Sequence, residues 1–99
     1  MLVTIIIPIY GNIKLLNDSL SSAVRQTYKK CEILIVDDGS KQKLKIKKII
    51  KKYESKNSKR IKLISYKKNR GVAHALNRGI SSANGDFIAW VSHDDIFLN

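Results

Sequence analysis

The amino-acid sequence predicts an α/β fold: an open parallel sheet of about four strands with helices on both faces. Three observations carry this prediction. Apolar runs rich in β-branched residues alternate with segments of helical periodicity along the chain. The connections are short, which under the right-handed crossover rule makes successive strands parallel. Polar clusters follow the apolar runs, at the strand ends where such sheets bind ligands.

Residues 3–7 are β-branched throughout and read as a strand buried on both faces. Asn12 is placed to cap a helix in which Leu16, Leu20, Ala23, Val24 and Thr27 recur at helical spacing. Residues 33–36 form a second buried strand, ended by Asp37, Asp38 and Gly39. Ser40 is placed to cap the next helix. There Ile46, Ile49, Ile50 and Tyr53 fall at i, i+3, i+4 and i+7 and turn the lysines outward. Residues 61–66 form a third strand. Ala73, Leu76, Ile80 and Ala83 mark a third helix, with Asn84 and Gly85 ending it as a left-handed cap would. Residues 87–91 form a fourth strand that runs into Ser92, His93, Asp94 and Asp95. The expected spatial order is 3-2-1-4, with the four polar clusters converging on one rim.

The 99 residues make a single domain, and a hydrophobic fraction of 43% supplies its core without disulfides or a structural metal. One cysteine, Cys31, excludes an internal disulfide and a multi-cysteine zinc site; it suits a reducing compartment and reads as structural. No segment approaches the roughly 20 apolar residues of a membrane-spanning helix. The apolar start lacks a basic region and a cleavage site, so it reads as the first strand rather than a signal peptide. The charge is +11, from 19 Lys+Arg against 8 Asp+Glu, and residues 41–60 hold ten of those basic residues with one acid, Glu54. Such a run suits nucleic acid or anionic lipid. No aromatics interleave with the lysines as a base-stacking platform requires, and the pattern favours a solvated helix face.

The polar clusters carry the chemistry. Asp94 and Asp95 end an apolar strand, and adjacent carboxylates at a ligand rim suit Mg²⁺ or Mn²⁺ with substrate phosphates; an acidic start to a solvent loop is the alternative. Asp38 is placed to accept from a base N–H or a ribose hydroxyl, whereas an Asx turn with Ser40 as helix cap explains the same residues structurally. Tyr10 offers a stacking face beside Pro8, or is an aromatic at the core's edge. At Asn69, Arg70 and Gly71, the glycine allows close backbone approach and Arg70 suits a phosphate or base; a helix start capped by Asn69 is the plain alternative. His74 reads as a surface residue, and so does His93, although it adjoins the aspartates. There is no Walker A motif, no GxGxxG and no supported nucleophile triad.

Together these residues resemble the family 2 glycosyltransferases with their GT-A fold. Residues 3–10 resemble the family's opening strand. Gln26, Thr27 and Tyr28, followed by residues 32–40 (EILIVDDGS), resemble its most recognisable block. Asn69, Arg70 and Gly71, with Ala75, Asn77, Gly79, Ile80, Ala83 and Gly85, resemble the third block. Residues 88–95 resemble the strand bearing the metal-binding acids. The resemblance implies that Pro8, Ile9 and Tyr10 cradle a base, usually uracil. It implies that Asp38 bonds the base, that Asn69, Arg70 and Gly71 shape the pocket, that Asp94 faces the ribose, and that Asp95 holds Mg²⁺ or Mn²⁺ against the diphosphate. It further implies transfer of a sugar, with inversion, to a glycan or lipid-linked acceptor.

Two departures stand out. Ser92 occupies a place where the family often has an aspartate, and Gly11 separates Tyr10 from Asn12. Family enzymes are at least twice as long, so residues 1–99 read as an incomplete nucleotide-sugar-binding part, inactive alone, with the general base expected beyond Asn99. An uncovered sheet edge implies self-association. The expected location is cytoplasmic, peripheral at the inner face of the membrane, and nucleic acid is not an expected partner. A non-enzymatic basic nucleic-acid-binding domain is the alternative reading. A receiver-type signalling domain is disfavoured because receivers gather their acids after the first and third strands, whereas these follow the second and fourth.

Overall fold

A computed structural model describes residues 2–10, 13–25, 31–54 and 60–90, without the side chains of Arg60, Val72 and Trp90. Strand and helix alternate as the periodicity requires: β1 (Val3–Ile9), α1 (Ile13–Val24), β2 (Cys31–Asp38), α2 (Lys43–Glu54), β3 (Arg60–Tyr66), α3 (Val72–Ser82) and β4 (Phe87–Trp90). The sheet order is β3-β2-β1-β4 and every described pairing is parallel, as expected. Thr27 and Val91 lie outside the described residues, as does the Asn12 cap.

Period-2 alternation splits the apolar strand residues between two layers. Ile5, Ile7, Ile9, Ile33 and Ile35 pack with Leu16 and Leu20 of α1 and with Ile46 and Ile50 of α2. On the other face Ile6, Leu34 and Val36 pack with Ala75, and Leu76 lies against that cluster. Helices therefore cover both faces. On α2 the apolar stripe faces inward as its spacing predicts, and Lys45, Lys47, Lys48, Lys51 and Lys52 are exposed.

On α3 the buried positions are Ala75 and Gly79, while Ala73 is exposed and Ile80 is 50% exposed. Close approach decides the face: a Cβ on Gly79 would stand 2.7 Å from Ile6 Cγ2. The helix also ends differently from expectation. Its C-cap is Ala83, in an extended conformation, and Asn84 and Gly85 have no positive φ.

A buried charge governs that ending. Glu32, 1% exposed at the start of β2, accepts from Thr4 Oγ1 (2.7 Å), Asn84 N (3.0 Å), Asn84 Nδ2 (3.2 Å) and Lys62 Nζ (3.2 Å). Thr4 Oγ1 in turn accepts from Gly85 N at 2.9 Å, where any Cβ on Gly85 would fall 2.5 Å from that oxygen. Burial alone would raise the Glu32 pKa. The Asn84 backbone N–H, then Thr4, Lys62 and the Asn84 amide, outweigh it and hold the pKa down at about 2. Asp86 N donates to Leu2 O (2.7 Å) and Leu2 N to Asp86 Oδ2 (3.1 Å). These bonds fasten the start of β4 beside β1. Among the described residues no helix is long and apolar enough to cross a membrane.

Candidate functional site

Because the strands are parallel, their carboxyl ends share one rim. The register sets Ile9 beside Asp37 and Asp38 beside Tyr66. Asp37 and Asp38 are consecutive in an extended strand, so their side chains leave on opposite faces. The two carboxylates therefore serve different elements.

Asp37, 1% exposed, is turned to α2. Its Oδ1 accepts from Ser40 N at 2.9 Å, and its Oδ2 from Lys43 Nζ at 2.9 Å and Ser65 Oγ at 3.1 Å. Lys43 Nζ also donates to Ser65 Oγ (2.9 Å) and to the Tyr66 carbonyl (3.1 Å). Ser40 does not cap α2. Its hydroxyl accepts from Gln42 N at 3.1 Å, and the first helical bond runs from Ile46 N to Gln42 O. Asp37 has drawn Ser40 into a turn, so the helix begins later.

Asp38, 4% exposed, is turned to the segment after β3. It accepts from Arg70 N at 2.7 Å and Gly71 N at 2.9 Å, one bond to each oxygen. Asn69 Oδ1 accepts from Gly71 N at 3.1 Å, while the N-cap of α3 is Gly71, without a side-chain cap bond. Asn69 thus shapes the turn before the helix instead of capping it. Gly39 completes the clamp. Its φ is +78°, and a Cβ there would lie 2.4 Å from Asn69 N and 2.6 Å from Lys68 C.

Tyr66 stands behind this clamp, its hydroxyl buried and outside hydrogen-bond geometry. Burial, followed by the neighbouring Asp38 and Asp37 carboxylates, pushes its pKa up to about 12, against a smaller opposing effect of Arg70. The hydroxyl stays neutral at any ordinary pH. The His74 ring meets Tyr66 edge-on at 5.4 Å, so His74 packs beside the site.

The rim brings together Tyr10, Asp38, Asn69, Arg70 and Gly71. Tyr10 is 56% exposed, and Asn69 and Arg70 are exposed as well, leaving an aromatic face and a guanidinium open to a ligand. Pro8 and Ile9 are buried within β1. β4 runs toward the same rim, with Trp90 beside Ile6. Asp94 and Asp95, with Ser92 and His93, lie outside the described residues. Among the described residues no group of three or more His, Cys, Asp or Glu is placed to hold a metal. Asp37 and Asp38 already face protein donors. Sequence reasoning missed Lys43, Tyr66 and Glu32; the acid inside the apolar run CEILIV was the available signal for Glu32.

The family model for glycosyl transferase family 2 matches residues 4–99. The chain belongs to that family. An uncharacterized glycosyltransferase of Rickettsia conorii is 41% identical over 96 residues, covering 97% of this chain and 15% of that protein. WfgD of Escherichia coli, a UDP-Glc:α-D-GlcNAc-diphosphoundecaprenol β-1,3-glucosyltransferase, is 36% identical, covering 98% of this chain and 36% of its own length. This family 2 chain therefore spans well under half of either relative. Among solved structures, Staphylococcus aureus TarS (residues 1–349) with UDP-GlcNAc matches with a TM-score of 0.82 and 27% identity, covering 97% of this chain and 27% of that 1–349 chain. The mannosyltransferase PcManGT of Pyrobaculum calidifontis, with GDP-Man and Mn²⁺, matches with a TM-score of 0.75 and 27% identity, covering 87% and 25%. The fold of this family 2 chain is that of the GT-A glycosyltransferases.

Proposed function

We propose that this chain forms the donor-binding part of a glycosyltransferase using a nucleotide-diphosphate sugar, a UDP-sugar, with Mg²⁺ or Mn²⁺. The observation that carries the reading is the Asp38 clamp. It fixes residues 69–71 on the carboxyl rim of a GT-A sheet, the rim at which the exposed Tyr10 follows β1. Tyr10 stacks on the base between the backbones of Pro8 and Ile9 and the wall of Asn69, Arg70 and Gly71. Asp38 holds that wall and offers the base N–H a spare lone pair. Arg70 reaches the diphosphate. Asp94 faces the ribose and Asp95 holds the cation, which when bound acts as a Lewis acid on the leaving diphosphate. The sugar passes with inversion to a glycan or lipid-linked acceptor. No acid of this chain is assigned as the base. Support comes from the nucleotide sugars bound to TarS and PcManGT and from the Mn²⁺ of the latter. The polar rim favours this reading over a nucleic-acid module.

Calorimetry with UDP and uridine, with and without Mn²⁺, tests it. UDP is expected to bind weakly alone and more tightly with the cation, because unscreened aspartates repel the diphosphate. Asp95→Ala should remove the metal dependence and leave uridine binding nearly unchanged. Asp38→Ala should weaken uridine binding by about 1–3 kcal/mol. Metal-independent UDP binding, or identical behaviour of the two variants, contradicts this division of roles.

A further inference from the structure

We propose that the outer face of α2, with the groove beside it, docks the protein on the surface of an anionic lipid bilayer. The basic run alone reads as a solvated helix face; two features of the fold change that reading. Leu44 is 76% exposed, more than any other large apolar residue described. It stands one, one and two turns from Lys47, Lys48 and Lys51, at i+3, i+4 and i+7, so the four share one face. An open groove of about 430 Å³ lies between that face and β3, an edge strand of the sheet. Leu44, Ile50, Ile61 and Leu63 give it an apolar lining, and Lys47, Lys48 and Lys51 rim it together with one acid, Glu54.

An apolar centre whose rim carries three ammonium groups against one carboxylate matches the boundary between acyl chains and acidic head groups. Leucine enters the apolar layer there, and lysine stems lie along it with their charges outward. None of these three lysines forms an ion pair among the described residues. Nucleic acid fits less well, because the face offers no ring for stacking. Tyr53, the aromatic of α2, is turned inward, its hydroxyl donating to Asn17 O at 3.2 Å and engaging Asn17 Oδ1 at 3.0 Å. The 12 residues of α2 span about 18 Å, enough to lie over several lipids. The helix starts at the rim, where Lys43 is tied to Asp37. Docking is independent of the donor-site reading and is measured with no nucleotide present.

The test is flotation of the full chain with vesicles of equal parts phosphatidylglycerol and phosphatidylcholine, against pure phosphatidylcholine. Binding is expected to the anionic vesicles only and to weaken with salt. K48E/K51E should lower partitioning at least about thirtyfold, from roughly fivefold per lysine near an acidic surface. K14E/R78E makes the same charge change on α1 and α3 and should alter partitioning less than about threefold. Leu44→Ser should lower it about tenfold through lost apolar burial. Circular dichroism checks each fold, and K48Q/K51Q, expected to lose about thirtyfold as well, replaces the reversal pair if that pair unfolds. Equal losses from the two reversal pairs, no effect of Leu44→Ser, or tighter binding to an RNA or DNA oligonucleotide than to the vesicles would each overturn the proposal.

Discussion

Replacing Glu32 with glutamine is expected to destabilise the protein by about 3 kcal/mol at neutral pH, and the effect is expected to fade in acid. A carboxyl held at about 2 instead of 4.5 corresponds, at about 1.4 kcal/mol per pH unit, to roughly 3 kcal/mol. The geometry supports that size. Each oxygen of Glu32 accepts two bonds: Oε2 from Thr4 and the Asn84 backbone, and Oε1 from Lys62 and the Asn84 amide. A glutamine must aim its NH₂ at one of these donor pairs, whichever way it is turned. Folding depresses the pKa, so the stabilisation is complete above pH 4.5 and is lost as the pH falls through about 2. Urea denaturation of both proteins from pH 7 to pH 3 measures it. The difference in unfolding free energy should be near 3 kcal/mol at pH 7 and shrink below pH 4.5. A difference that is negligible at pH 7, or constant across the range, refutes the reasoning.

Gly39→Ala is expected to lose more than about 2 kcal/mol, because a left-handed φ adds to a clash with fixed backbone at Lys68 and Asn69. Amide hydrogen exchange at Arg70 and Gly71 should quicken as the clamp loosens. Gly71→Ala should cost about 1–3 kcal/mol from backbone conformation alone, since φ 93° and ψ 163° is a region that only glycine adopts readily, while nothing lies within 4 Å of the added carbon. Lys43→Met is expected to cost about 2–3 kcal/mol by leaving the buried Asp37 short of its cation. Adding Asp37→Asn should recover part of that loss in thermal denaturation.

The strands were legible because buried parallel strands are written as unbroken β-branched runs, and α2 because its isoleucines keep a helical period. The strand ends were legible as polar clusters, and parallel pairing alone brings three of them together. Local capping signals misled. Ser40, Asn69 and Asn84 are each good terminators in isolation, yet Asp37, Asp38 and Glu32 claim the neighbouring backbone groups for tertiary bonds. The partners of Glu32 sit at positions 4, 62 and 84, and no local pattern links such distant residues. The face of α3 was misjudged for a related reason. Hydropathy favours large Ile80, but the surface beneath the helix has room only for Gly79.

The pairing of β1 with β4 bears on the order of assembly. Val3 meets Cys31 across β1 and β2, and Ile33 meets Ile61 across β2 and β3, each after 28 residues; Val3 meets Phe87 only after 84. Tripling the loop adds about 1 kcal/mol of closure entropy, so β4 is expected to join last. Until then one flank of the oldest strand is open, and Glu32 lacks both donors that Asn84 supplies. Desolvation of that charge is thereby tied to the final step. Pulse-labelled hydrogen exchange should show the amides of β2 protected before those of Asn84 and Gly85, and the reverse order would exclude this route.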